Sequence, residues 1–540
     1  MIHPYPAGFS SSLPDSFTDP FRYSPHPLVL QAGELLMRRI RSSAELSEIF
    51  AEGKMLGVLA VAHGEGFKEI GYLAAFSGNA GGQSIIEGFV PPIYDLLDPK
   101  GYFKTHEAEI SALNAQISSS EQSTELIQLN NELRSAEHSM HAEIDCQKIR
   151  MAVLKAERDI ARTGTLDDVS KSELIRQSQH EKAEFRRIKM HWEKIIGELK
   201  AALDENLERI SGMKRRRKEM SDALQEWIFR QYIVHDSSGE SGSVFDIFAD
   251  SGLTPPGGTG ECAAPKLLEY AFRNRLKPLA MGEFWYGKSP DTAVRTEGHF
   301  YPSCTSKCGP LLEYMLKGMQ LKRHDTVHGE PLILYEDDDL IGASKPSGMP
   351  SVPGLNGGPS LLEWLVSETG NSAIESVHRL DMDTSGIMIF AKNPKAGCNI
   401  RKQFEDHTVR KTYKALLSPS SESGLAIGDT GRIHIPLSPD YDERPRQKVD
   451  FRQGKEAITE YHVDEIREDG RIMITFSPHT GRTHQLRVHS AHHLGLGRPI
   501  VGDMLYGGAI SPKLCLHAES ITLTHPTTQR QLTLHQHSTF

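Results

Sequence analysis

Across residues 106–162 apolar side chains recur at mixed spacings of three and four, at Ile110, Leu113 and Ile117 and then at Leu126, Leu129 and Leu133. Glu, Lys, Gln and Arg fill the other faces. A break at Thr163-Gly164-Thr165 follows, and the pattern resumes with Phe185, Ile188, Trp192, Ile195 and Leu199, then Leu203, Leu207 and Ile210. No proline falls between Pro99 and Pro255. Helical periodicity on both sides of one break predicts two long helices forming an antiparallel coiled-coil hairpin, placed at 105–232. At ~1.5 Å per residue, an arm of about 55 residues reaches roughly 80 Å.

The arm interrupts a different texture. Two apolar runs, 55–62 and 70–76, flank His63-Gly64-Glu65-Gly66 and predict a β-hairpin. Beyond the arm, 262–276 reads as a helix, 279–286 as a strand and 308–319 as a second helix. These pieces predict one small α/β domain in two parts, 28–104 and 245–325. From about Pro331 strands and turns dominate, at 332–335, 387–390, 413–417 and 471–476, with a helix at 397–406. Residues 330–540 therefore predict an α+β domain built on a large mixed or antiparallel sheet.

The chain's 540 residues allow three or four such units. Its longest wholly apolar run is far too short to cross a bilayer, and Met1-Ile2-His3-Pro4-Tyr5-Pro6 does not have the pattern of a secretion signal. Six scattered cysteines argue against a disulfide framework and for a reducing, cytoplasmic setting. A net charge of −10 excludes a protein that coats polyanions generally. It leaves room for a local basic groove that holds a structured RNA.

The chemistry is concentrated after residue 375. Ser376-Val377-His378-Arg379-Leu380-Asp381 leads into Met382-Asp383-Thr384-Ser385-Gly386. A carboxylate two residues from a guanidinium is held ionised by that neighbour. Taken alone, it is equally a structural Asp–Arg pair beside a turn. Arg410-Lys411-Thr412-Tyr413 opens a strand that puts Lys411 and Tyr413 on one face. Thr480-Gly481-Arg482-Thr483-His484-Gln485-Leu486-Arg487-Val488-His489 follows, and then Leu514-Cys515-Leu516-His517. In this order and spacing, these four motifs resemble the RluA-type pseudouridine synthases, over about residues 330–540. Lys345-Pro346-Ser347-Gly348 belongs to the matching lead-in, while Ser351-Val352-Pro353-Gly354 and Arg444-Pro445-Arg446-Gln447-Lys448-Val449 are similar to RluA itself.

The resemblance implies an isomerase that breaks the glycosidic bond of uridine, turns the base and rejoins it to the sugar through C5, without a cofactor. It implies structured RNA as partner, a stem-loop of large-subunit ribosomal RNA or the anticodon arm of tRNA. It maps the catalytic carboxylate to Asp381, acting as nucleophile or as base, its partner arginine to Arg487, and the tyrosine that packs on the base and assists loss of the C5 proton to Tyr413. It gives Arg379 the space left by the flipped base. Lys411, Arg482, Arg444, Arg446 and Lys448 are candidate phosphate contacts, and His378 and His484 are assigned to structural hydrogen bonds. The alternative is a non-catalytic RNA-binding or chaperoning protein that acts through the arm, where Lys214-Arg215-Arg216-Arg217-Lys218 offers a basic patch.

In the front half, a hairpin, a helix starting at Cys262, a strand, and a helix starting at the pair Cys304 and Cys308 resemble the zinc-dependent deaminase fold. Two departures count against that activity: Ala264 stands where the proton-shuttling Glu belongs, and three residues rather than two separate the cysteine pair. The trio is either a set of buried thiols or three ligands of a structural zinc.

Overall fold

The computed structural model describes residues 1–98, 100–165, 167–322, 327–354, 359–420, 424–441 and 443–540. Residues 323–325, at the end of the expected second part of the front half, lie outside the described residues. Two compact units result, one of residues 1–95 and 229–540, the other of residues 96–228. Among the described residues no helix is long and apolar enough to cross a membrane.

The second unit holds Tyr102–Glu121, Thr124–Ala161 and Asp168–Gln231 as helices, the last running on into the first unit. The expected first helix is thus two. Its interruption at Gln122 is a cap: the Ser123 hydroxyl accepts from the Leu126 amide and starts a new helix. Cross-pairs fix an antiparallel course, because Arg158 meets Glu181, Trp192 Nε1 donates to Glu143 at 2.6 Å, Lys200 meets Glu137 at 2.9 Å and Lys214 meets Glu121 at 2.6 Å. As one number falls the other rises.

In the first unit, a five-stranded sheet runs in the order His3–Pro4, Glu69–Phe76, Lys54–His63, Lys277–Tyr286, Phe300–Tyr301. Leu56 and Val58 face the helix Pro27–Ser42, in one core with Val29 and Leu36. On the other face, Gly57 admits the helix Ala263–Arg273. A Cβ on Gly57 would stand 2.7 Å from that of Ala263. Covered on both faces, the strand is apolar at nearly every position rather than at every second one.

The second sheet has ten strands among the described residues, and the four motifs lie on it or beside it. Its central path runs Leu340–Lys345, Ser385–Ala391, Leu516–Thr524, Arg410–Leu417, Ile472–Pro478. At its middle Ser385 and Gly386 pair in parallel with His517 and Ala518, and Tyr413 pairs with Ala518 from the other side. Gly386 is required here: its φ is +115°, and a Cβ would lie 2.4 Å from the Ala518 carbonyl oxygen.

Candidate active site

Asp381 lies in the short link between Glu375–Ser376 and Ser385–Ala391, four residues before the parallel junction. The link is held from beneath by Lys345, which is 0% exposed. Its Nζ donates to the carbonyls of Pro346 at 3.0 Å, Met349 at 2.7 Å and Met382 at 2.7 Å. Burial pulls Lys345 down to about 7, and Asp383 and then Asp381 oppose the pull. Three acceptors match the three donors of an ammonium, which favours the charged form. The Ser351 hydroxyl donates to the Leu380 carbonyl and accepts from the Leu380 amide, so the loop is fixed on a second side.

Asp381 is half-buried as a residue, with its carboxyl enclosed. Burial raises its titration above its ordinary value; Arg487 works against this, Asp383 adds to it and Arg379 opposes it. The expectation that an arginine neighbour keeps the acid easily ionised is thereby corrected: desolvation outweighs the guanidinium. Tyr413 comes from the strand Arg410–Leu417, and burial, then the Asp381 charge, push its phenol far up. It is a neutral phenol at working pH. It suits packing on a base, and can take a proton only after giving up its own.

Arg487 sits on Gln485–Ala491, a helix whose every residue is buried. The helix is anchored through Gln485, whose Oε1 accepts from Thr480 Oγ1 at 2.8 Å and whose Nε2 donates to the Ile458 carbonyl at 2.9 Å. The guanidinium lies in a fork with Asp503, Nε to Oδ2 at 2.8 Å and Nη2 to Oδ1 at 2.7 Å. Burial works against its charge, but Asp503 and then Asp381 more than offset this and hold Arg487 above its ordinary value. The expected direct Asp381–Arg487 pair is thus an electrostatic neighbourhood, with Asp503 as the hydrogen-bonded partner. The motifs did not point to Asp503, which lies in Gly502-Asp503-Met504, outside all four. Nor did Lys345 stand out within its lead-in.

The candidate RNA contacts divide. Arg379 and Arg482 are exposed, and Arg482 Nε donates to the Glu456 carbonyl at 2.8 Å. Arg444 is exposed over the Tyr441 ring, and Lys448 is half-buried on the short strand Gln447–Val449. Lys411 is half-buried near the Phe404 ring. Arg446 departs from the expectation of a surface cation. It is buried, donates to the Val294 carbonyl at 2.7 Å and stacks against Tyr301 and Tyr506. His378 accepts from the Ile389 amide at 3.0 Å, and burial draws it down to about 3, so it is neutral. His484 Nδ1 meets the Tyr506 hydroxyl at 2.9 Å.

The five-stranded part of this unit reaches the same place. Arg22 Nη2 lies 2.8 Å from Asp383 Oδ1, Arg295 pairs with Glu443, and the Thr305 hydroxyl donates to the Arg444 carbonyl at 3.1 Å. A cavity of about 760 Å³ lies between the two sheets. Met382, Asp383, Arg446 and Arg487 are among the residues that line it, as are Cys262, Cys304 and Cys308. The three Sγ atoms lie within 4.8 Å of one another.

Residues 339–492 match the family model described as RNA pseudouridylate synthase. The dual-specificity RNA pseudouridine synthase RluA of Haemophilus ducreyi is 40% identical over 213 residues, 38% of this chain and 93% of that protein. The protein of the same name in Haemophilus influenzae is 38% identical over 214 residues, 38% of this chain and 93% of its own length. That of Escherichia coli strain K12 is 41% identical over 202 residues, 36% of this chain and 87% of its own length. The segment that reproduces these relatives is the one that folds into the ten-stranded sheet and brings Asp381, Tyr413 and Arg487 to one buried centre, and the chain belongs to the RNA pseudouridine synthase family, in its RluA-type branch.

Proposed function

We propose that the protein converts uridine to pseudouridine in structured RNA, with Asp381 as the catalytic carboxylate, Arg487 as its electrostatic partner and Tyr413 as the packing surface for the target base. The observation that carries this reading is the convergence of the three side chains from segments far apart in sequence, each acting electrostatically on Asp381 or acted on by it. The reaction needs an ionised carboxylate in a dry site. A raised titration makes this acid more nucleophilic and more basic once ionised than an exposed aspartate. Both roles, attack on the sugar and proton removal from it, use the same charged form. A stacked uridine must first leave its helix, at a cost of a few kcal/mol that is smallest in loops. In this reading Arg379, exposed and two residues from Asp381, enters the space left behind.

For the target we propose a stem-loop of large-subunit ribosomal RNA, tRNA or both, a reading that rests on the RluA-like runs at 351–354 and 444–449. Pseudouridine is mapped across total RNA from cells carrying only Asp381→Ala. The reading requires at least one site to lose its modification. An unchanged map contradicts it and favours a non-catalytic role for the arm.

A further inference from the structure

The proposed isomerisation draws on Asp381, Tyr413 and Arg487, of which Arg487 lines the cavity, and leaves the cysteine trio unused. Cys262 caps the helix Ala263–Arg273, Cys304 lies in the loop after Phe300–Tyr301, and Cys308 caps Gly309–Met315. The fold thus brings Cys262 to a pair of thiols more than forty residues later in sequence. Three Sγ atoms mutually within 4.8 Å are compatible with the edge of a tetrahedron with metal–sulfur bonds of about 2.3 Å, which is roughly 3.8 Å. Disulfide formation offers no equivalent account, since pairing any two leaves the third thiol alone; all three are free cysteines.

The surroundings are built to hold the trio in place. Glu283, buried on the strand Lys277–Tyr286, accepts from the Ala264 amide at 3.1 Å through Oε1 and from the Ser303 hydroxyl at 2.6 Å through Oε2. Ala264 is two residues from Cys262 and Ser303 is next to Cys304, so one carboxylate ties both cysteine-bearing segments to the sheet. The strand itself is fixed by Tyr23, whose hydroxyl accepts from the Glu283 amide at 3.0 Å and donates to the Tyr301 carbonyl at 3.0 Å. Supports of this kind orient metal ligands from the outer shell. Lys266 is buried nearby, with Nζ on the carbonyls of Phe76 and Gly78 at 2.9 Å, and supplies positive charge.

We propose that Cys262, Cys304 and Cys308 bind one zinc ion as thiolates, with the fourth coordination position facing the cavity shared with Asp383 and Arg487. Zinc fits because thiolate sulfur is soft and a trio of thiolates selects it over the hard divalent cations. On binding, each of the three thiols gives its proton to solvent, leaving a site of net charge −1. The open face follows from the cavity, which all three cysteines line. Among the described residues, no fourth His, Cys, Asp or Glu joins the group within that distance. The fourth ligand is therefore water or a small exchangeable donor, as in zinc sites that keep one position free. Glu283 is a positioning residue for this centre.

The test reads metal, independently of RNA. Full-length protein, purified without chelators, is analysed for zinc. The proposal expects about one ion per chain, lost in Cys304→Ser and in Cys308→Ser and retained in Cys146→Ser and Cys398→Ser, whose thiols are exposed elsewhere. Cobalt(II) exchanged into the wild type is expected to show intense thiolate charge-transfer absorption and tetrahedral visible bands, and those bands shift on adding azide. Glu283→Gln is expected to weaken zinc affinity by about 10–100-fold in chelator competition. Less than about one-tenth of an equivalent in the wild type overturns the proposal, as does full zinc content in both serine variants. Visible bands insensitive to azide overturn the open position, and unchanged affinity in Glu283→Gln overturns the positioning role. Pseudouridine formation in the same preparations reports on Asp381 separately, so failure of either reading leaves the other identifiable.

Discussion

Removing the charge of Asp503 should be far more damaging than loss of an ordinary surface ion pair. The Arg487–Asp503 fork has side chains 3% and 0% exposed. An exposed pair contributes about 0–1 kcal/mol. Breaking a buried one strands a charge in a poorly solvated site and costs about 3–5 kcal/mol. Asp503→Asn keeps the side-chain volume and an acceptor for the Leu505 and Tyr506 amides, which now bond to Oδ1. Arg487 retains Asp381 as an electrostatic neighbour, which places the expected loss near the lower end, about 3 kcal/mol. Amide hydrogen exchange along Ile472–Pro478 reads the opening of the sheet, and ~3 kcal/mol accelerates it by roughly two decades. The variant should also shift the acid limb of kcat/KM downward, because Asp503 is one of the charges that raise Asp381. Replacing both members, Arg487→Met with Asp503→Leu, should restore most of the stability and none of the turnover. Exchange accelerated less than about five-fold in Asp503→Asn, or ~1 kcal/mol, would refute the reasoning.

Three further outcomes follow from the same geometry. The folded-state carboxyl of Asp381 titrates above its unfolded value, so its favourable contribution is complete below the ordinary carboxylate range and is lost as pH rises through the raised value. At neutral pH the ionised acid is a net cost to the fold. Asp381→Asn should therefore raise Tm while abolishing turnover, and a lowered Tm would count against dominant desolvation. Lys345→Met should leave the buried Pro346 and Met349 carbonyls without their donor, at about 1–3 kcal/mol each before relaxation, while the Met382 carbonyl keeps the Gly348 amide at 2.9 Å. Loosening of the Asp381 loop then appears as reduced kcat with KM for RNA little changed. Arg22→Ala should remove one of the cations that offset Asp383 beside Asp381 and move the acid limb of kcat/KM upward; an unmoved limb separates the Arg22 contact from the catalytic centre.

What could be read in the chain divides along physical lines. The helical arm shows itself through a long apolar period, and only the local Ser123 cap was hidden in it. Asp381, Tyr413 and Arg487 stand out because each lies in a run of unusual composition whose order resembles a known family. Asp503 lies in an ordinary turn and acquires its role only when the helix Gln485–Ala491 docks against it. That helix is rich in polar residues, and its burial depends on partners such as Ile458 and Thr480, from other segments. Lys345 reads as a solvated cation until three carbonyls converge on it. Arg446 reads the same way, and it is the packing of Val294, Tyr301 and Tyr506 that draws it inside. The contribution of Arg22 had no signal at all, since nothing local places residue 22 beside residue 383.

The most direct test of the central claim follows the C5 hydrogen. RNA stem-loops labelled with tritium at C5 of uridine are incubated with the purified protein and with Asp381→Asn. New bonding of the sugar at C5 expels that hydrogen into water. The account predicts tritium release by the wild type, in step with pseudouridine formed, and release by Asp381→Asn no faster than background. Release by the variant at the wild-type rate would contradict the assignment of Asp381 as the catalytic carboxylate.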